Sequence, residues 1–187
     1  MSGWRQRWRV PLGFAAAVAL IVWAHPRPLS LAVGLPIAAA GLALRACAAG
    51  YIRKNDALAT TGPYRFTRNP LYLGSTLLGL GFVIAADYWV LAVVAAALLV
   101  GIYLPVIGAE ERYLAQRFGA AFHDYAARVP RLLPRLIPRR RRPQTAGEGA
   151  YSLALYRRHR EYQALVGFCF LALVLVLKWK WHGPLPW

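Results

Sequence analysis

The chain has 187 residues, 58% of them hydrophobic, and its 23 Lys and Arg against 7 Asp and Glu give a formal net charge of +16. A soluble domain of this length has no use for so much apolar surface, and the apolar residues arrive in long blocks, so the bilayer is the expected solvent. The blocks lack the alternating period of a barrel strand, which leaves helices to satisfy every backbone N–H and C=O in lipid.

Five blocks follow in chain order: Val10 to Trp23, Leu29 to Tyr51, Leu71 to Ala86, Tyr88 to Ile107 and Ala164 to Leu177. A span takes about 20 residues, and about 17 suffice when flanking groups snorkel. The first and last blocks are short. Trp4 and Trp8 before the one, and Lys178, Trp179, Lys180 and Trp181 after the other, are interfacial anchors that lengthen them. The opening Met-Ser-Gly-Trp-Arg-Gln-Arg-Trp-Arg has the basic character of a signal peptide, but no small-residue cleavage site follows, so the first block is expected to be a retained span. Pro36 and Pro105 are expected to kink their helices, and Arg45, near the end of the second block, is expected to snorkel.

The connections are unequal. Between the first two blocks and between the third and fourth lie only His25-Pro26-Arg27-Pro28 and a turn at Asp87, whereas Arg53 to Pro70 and Ala109 to Tyr162 hold nearly everything polar. With five spans and the N-terminus inside, twenty of the 23 basic residues fall on the inner side, leaving Arg27, Lys178 and Lys180 outside. That is the positive-inside bias of an N-in, C-out protein. The run Arg139 to Arg142 is expected to bind anionic membrane lipids, not nucleic acid.

Within the long inner segment Leu114, Phe118, Phe122 and Tyr125 recur at spacings of four, four and three. This predicts an amphipathic helix continuing from the fourth span and ending before Val129-Pro130, since the residue preceding a proline is pushed out of the α region. The chain thereby divides into an N-terminal transmembrane helix pair (1–50), a core of inner loop, two spans and amphipathic helix (51–137), an Arg/Pro/Gly-rich linker (138–150) and a C-terminal span (151–187). Cys47 and Cys169 lie in apolar blocks, and His25, His123, His159 and His182 show no ligand spacing, so neither disulfide nor metal is expected.

Two constellations carry chemistry. In Gly62-Pro63-Tyr64-Arg65-Phe66-Thr67-Arg68-Asn69-Pro70-Leu71-Tyr72-Leu73-Gly74, Gly62-Pro63 is a turn and Asn69-Pro70 starts a helix, with Asn as N-cap and Pro at the first helical position. Tyr64, Arg68, Asn69 and Tyr72 thus gather at a helix N-terminus, whose free N–H groups and positive dipole end favour a carboxylate. In the second, Glu110-Glu111 precedes Phe118-Gly119, Tyr125 and Val129-Pro130-Arg131. Glu110 heads the apolar stripe, a costly place for a carboxylate without a partner; pairing with Arg65, Arg68 or Arg112 is the plain structural explanation.

Together these motifs resemble the isoprenylcysteine carboxyl methyltransferase family and, in part, the membrane phospholipid methyltransferases; Leu44-Arg45 and Gly50-Tyr51-Ile52-Arg53-Lys54-Asn55 resemble its bacterial members. The resemblance covers roughly Gly41 to Pro134. It implies an all-α integral membrane enzyme with a cofactor pocket facing the cytoplasm of a bacterial inner membrane. It implies S-adenosylmethionine as methyl donor, S-adenosylhomocysteine as product, and a lipophilic, membrane-resident acceptor such as an isoprenylcysteine carboxylate or another lipid. Carried over, Arg68 and Glu110 are the expected catalytic residues, and Tyr64, Asn69, Pro70, Tyr72, Leu73, Gly74, Glu110 and Glu111 the expected cofactor-binding set. Asn69 stands where the family has histidine, and an amide cannot titrate near neutrality. Two other readings remain: a sterol-type membrane reductase using NADPH, which carries a similar Arg-His-Pro-Asn-Tyr motif, and a non-catalytic protein binding anionic lipid.

Overall fold

A computed structural model describes residues 15–52, 57–135 and 150–182. Among the described residues the regular structure is all helical, with no strand. Residues 15–23 form α1. Then come α2 (Pro28–Ala49), a 3-10 turn (Gly62–Arg65), α3 (Pro70–Ala86), α4 (Trp89–Leu98), a π turn (Leu99–Tyr103), α5 (Leu104–Phe118), α6 (Ala120–Arg128), α7 (Leu153–Arg158) and α8 (Tyr162–His182). Among the described residues, three helices are long and apolar enough to cross a membrane: Pro28–Ala49, the continuous 30-residue Trp89–Phe118, and Tyr162–Trp181; α3 is apolar but shorter at 17 residues. Residues 10–14 of the first apolar block, the stretch 53–56 and the arginine run of the linker lie outside the described residues.

The π turn sits where Pro105 follows. Proline has no N–H to close the regular i→i−4 bond, so the ladder widens before it. The expected single amphipathic helix is broken at Gly119, whose φ of 50 and ψ of −124 end α5 and start α6 in a new direction. The end of α6 at Arg128, before extended Val129 and Pro130, is as expected.

Helices α2 and α3 run antiparallel with their backbones in contact. A Cβ added at Gly34 would come within 2.5 Å of the Gly81 carbonyl oxygen, and one at Gly41 within 2.6 Å of that of Gly74. Each pair is seven residues apart on its own helix, so one stripe of small residues, with Ala38 and Ala85 fully buried, keeps the two helices close along their length. At the end remote from the charged motifs, Leu20, Ala24, Leu31, Phe82, Leu91 and Leu175 pack into one apolar core drawn from α1, α2, α3, α4 and α8. Polar ties close that end. Lys178 Nζ donates to the last carbonyls of α1, Ile21 at 2.8 Å and Val22 at 2.9 Å; the His25 amide donates to Ala86 at 2.8 Å; and Arg27 pairs with Asp87. This fixes the pitch of α3 and so where its N-terminus, with the charged motifs, is placed.

Candidate functional site

The site is assembled at the N-terminus of α3. Gly62, at φ +55, lets the chain turn under the Tyr51 ring, which a Cβ would strike at 2.6 Å. The turn buries Tyr64, whose carbonyl accepts a 2.7 Å hydrogen bond from the hydroxyl of Tyr125 on α6. Beyond it, residues 66–69 run alongside 130–135. The Arg68 amide donates to the Pro130 carbonyl (2.9 Å), the Arg135 amide to Phe66 (3.0 Å), and the buried Thr67 hydroxyl to Leu132 (3.0 Å). The proline that ends α6 therefore also opens the segment that docks against the motif.

Asn69 and Pro70 take the N-cap and first helical positions as expected, but the Asn69 side chain does not cap. Its Nδ2 donates outward, to Glu111 Oε1 at 3.1 Å and to the Arg131 carbonyl at 2.8 Å. Glu111 is the hub: its Oε1 lies 3.3 Å from Arg68 Nε and its Oε2 3.2 Å from Arg131 Nε. The Arg68 contact is an ion pair without hydrogen-bond alignment, since that buried Nε has no hydrogen-bond partner. Glu110 differs from its neighbour. Its carboxylate is exposed, accepts a 2.8 Å hydrogen bond from Tyr72, and has no ion pair among the described residues. The Tyr72 ring in turn meets Tyr103 of the π turn edge-on, with centroids 5.8 Å apart.

Tyr64 lies close enough to this group to feel the charge of Glu110. Its hydroxyl is buried and has no hydrogen-bond partner among the described residues. Burial above all, then the nearby Tyr125 and the Glu110 and Glu161 carboxylates, pushes this phenol well above its ordinary value, so it stays neutral. Pro70 is buried at the helix start and Leu73 is half-buried on the following turn, its amide donating to the Asn69 carbonyl at 3.0 Å. Gly74 is turned toward α2, where a Cβ would lie 2.7 Å from both the Gly41 carbonyl and Arg45 Cγ.

The structure thus brings Arg68, Asn69, Tyr72, Glu110 and Glu111 into one group, with Tyr64 nearby and Gly74 turned toward α2. Arg131 was visible in the sequence only as the end of Val129-Pro130-Arg131; the second cation on Glu111 had no local signal. Arg45, expected only to snorkel, is bound by Glu161 and Ser75. An arginine inside an apolar block was the available sign.

A family model described as phospholipid methyltransferase matches residues 33–121. The cobalt-zinc-cadmium resistance protein CzcN of Cupriavidus metallidurans is 35% identical over 180 residues, covering 90% of this chain and 78% of that protein. The nickel-cobalt-cadmium resistance protein NccN of Alcaligenes xylosoxydans xylosoxydans is 37% identical over 84 residues, or 45% of this chain and 39% of that protein. Methanethiol S-methyltransferase 2 of Bradyrhizobium diazoefficiens is 39% identical over 84 residues, 42% of this chain and 29% of the enzyme. No solved structure matches the chain. The family match contains α3 with Glu110 and Glu111 and stops short of Tyr125, Arg131 and Glu161.

Proposed function

Because the chain belongs to the phospholipid methyltransferase family, with the motifs of its isoprenylcysteine carboxyl methyltransferase-like members, we propose that it transfers a methyl group from S-adenosylmethionine to a lipophilic acceptor resident in the membrane. The observation that carries this reading is the charge pattern. Two arginines, Arg68 and Arg131, meet the single carboxylate of Glu111, leaving an excess positive charge, while Glu110 next to it has no ion pair among the described residues. A positive and a negative subsite side by side match a zwitterionic amino-acid group such as the methionine end of the cofactor. The partnerless Tyr64 hydroxyl supplies one more buried hydrogen-bonding group, whose burial is unfavourable until a ligand meets it.

On this reading Glu110, oriented by Tyr72, receives the ammonium, and Arg68 and Arg131, oriented by Glu111, receive a carboxylate. Tyr64 contacts the ligand directly. Asn69, Pro70, Leu73 and Gly74 set the first turns of α3, and Glu111 holds the arginines. S-adenosylmethionine supplies a methyl group on a sulfonium, a displacement for which alignment and exclusion of water matter most. The Asn69 amide, held by Glu111 and the Arg131 carbonyl, acts as a strut and carries no proton. An acceptor carboxylate would be aligned by the guanidinium of Arg68 while Arg131 keeps the carboxylate of the cofactor, whereas a thiol or amine acceptor would pass its proton to a carboxylate oxygen of Glu110 that the ammonium leaves free. Both Arg68 and Glu110 are therefore assigned to the chemistry. The enzyme named for methanethiol makes a sulfur acceptor the comparison to include. The membrane arrangement belongs to the same proposal: five spans, N-in and C-out in a bacterial inner membrane, with the site open to the cytoplasm and basic segments on anionic lipid.

The test is transfer of an isotopically labelled methyl group from S-adenosylmethionine into membrane lipid extract by the purified protein, read by mass spectrometry. Labelled lipid is expected. Glu110→Gln is expected to abolish labelling and weaken S-adenosylhomocysteine binding roughly 10- to 100-fold, the worth of one hydrogen bond to a charged group. Absence of both labelling and binding in the wild type, or thermal stabilisation by NADPH instead, would overturn the reading.

A further inference from the structure

The C-terminal helix lies beyond the residues matched by the family model, yet it is joined to the site by a second polar cluster. Arg45, one turn from the end of α2, is held in a fork by Glu161, which immediately precedes α8. Arg45 Nη2 donates to both carboxylate oxygens at 2.8 and 2.9 Å, and Nε donates to Oε2 at 3.1 Å. The pair is sheltered, with Arg45 22% and Glu161 10% exposed. Arg45 Nη1 donates to the Ser75 hydroxyl, and that hydroxyl donates to the Leu71 carbonyl at 2.8 Å. A continuous chain of hydrogen bonds thus runs from Glu161 to the first turn of α3, one residue from Tyr72. Gly74 makes room for it, because any Cβ there would strike the Arg45 stem. Glu161 itself is placed by a local anchor: the Ser152 amide donates to the Gly50 carbonyl at 3.0 Å, and the Tyr151 ring covers Gly50.

We infer that Arg45 and Glu161 are positioning residues of the site. Through Ser75 they fix the first turn of α3, hence Tyr72 and the Glu110 carboxylate that Tyr72 orients, so that the C-terminal helix governs ligand affinity without touching the ligand. The inference rests on the methyl-transfer reading only for the identity of that ligand. It accounts for an arginine placed inside an apolar helix, where a charge is retained only with a strong partner. It also accounts for the last span, which the family motifs leave without a role.

The experiment separates positioning from folding. Removing one member of a sheltered ion pair strands the other and destabilises, whereas replacing both by apolar residues is often close to neutral. Glu161→Gln and the double variant Arg45→Met with Glu161→Leu would be made in the full chain in detergent. Each would be compared with wild type by thermal melting, by hydrogen exchange of residues 70–76, and by S-adenosylhomocysteine affinity. Positioning predicts that both variants exchange faster over residues 70–76 and bind about tenfold more weakly, on the scale of coupling between contacting groups, while the double variant melts close to wild type. Restored affinity and exchange in the double variant overturn the inference. So does unchanged exchange in Glu161→Gln, or a rise spread evenly along α2 and α3. If the wild type binds no S-adenosylhomocysteine, the methyl-transfer reading fails by itself, and exchange over residues 70–76 still decides the role of the clamp.

Discussion

Two buried tyrosines lie at the site, and the contributions of their hydroxyls are opposite in kind. Tyr125 donates to the Tyr64 carbonyl at 2.7 Å, whereas the Tyr64 hydroxyl makes no hydrogen bond. Tyr64→Phe therefore removes nothing the fold uses. It is expected to leave the melting temperature unchanged or slightly higher while weakening S-adenosylhomocysteine binding several-fold; calorimetry beside thermal melting checks both. Tyr125→Phe takes a donor from a buried carbonyl and is expected to cost about 1–3 kcal/mol of stability. Burial pushes both phenols above their ordinary value of 10.0. The folded chain then holds these protons more tightly than the unfolded one, so their contribution is complete below pH 10.0 and is lost as pH rises past it. Melting followed into alkaline solution should fall above that point, and less steeply in the double Phe variant. The grouping of Arg68, Asn69, Tyr72, Glu110 and Glu111 was legible in the sequence because each half lies in one short motif. Arg131 and Glu161 were not, because their partners stand far away along the chain and no periodicity encodes such a pairing.

At the scale of elements, the α2–α3 contact depends on missing side chains. A Cβ at Gly81 would lie 2.3 Å from the Ala38 nitrogen, backbone that cannot move aside, whereas nothing lies within 4 Å of one at Gly79. Gly81→Ala is accordingly expected to destabilise by about 3 kcal/mol as the helices are forced apart. Gly79→Ala should be neutral or stabilising through better helix propensity. Melting of the two proteins in the same detergent makes the comparison. The break at Gly119 shows why element boundaries were harder to read than elements. The apolar spacing from Leu114 to Tyr125 passes straight through it, and only a glycine able to adopt positive φ marks the change of direction. At Asn69 the reverse holds: residue types fixed the helix start, but tertiary partners drew the capping side chain away from the backbone it was expected to satisfy.

Across the whole molecule, the two ends of the helical assembly do different work. One is an apolar core closed by Lys178, His25 and the Arg27–Asp87 pair. The other is a polar assembly in which segments 66–69 and 130–135 lie at the N-terminus of α3 and residues 151–161 meet the end of α2. Helical apolar blocks and the family relationship follow from composition and motif alone. The way the C-terminal helix joins the site does not, since it depends on one carboxylate finding one arginine. The shortness of α3 has its own consequence. Seventeen residues at 1.5 Å each reach only about 26 Å, less than a hydrocarbon core of about 30 Å. In the proposed five-span arrangement, with its far end tied to α1 and α2, the helix would bring Asn69 and Pro70 below the level of the head groups, and the surrounding bilayer would thin to meet them. Reconstitution in lipids of increasing acyl length should show turnover declining as the membrane thickens, with the steepest loss once the chains exceed what α3 spans.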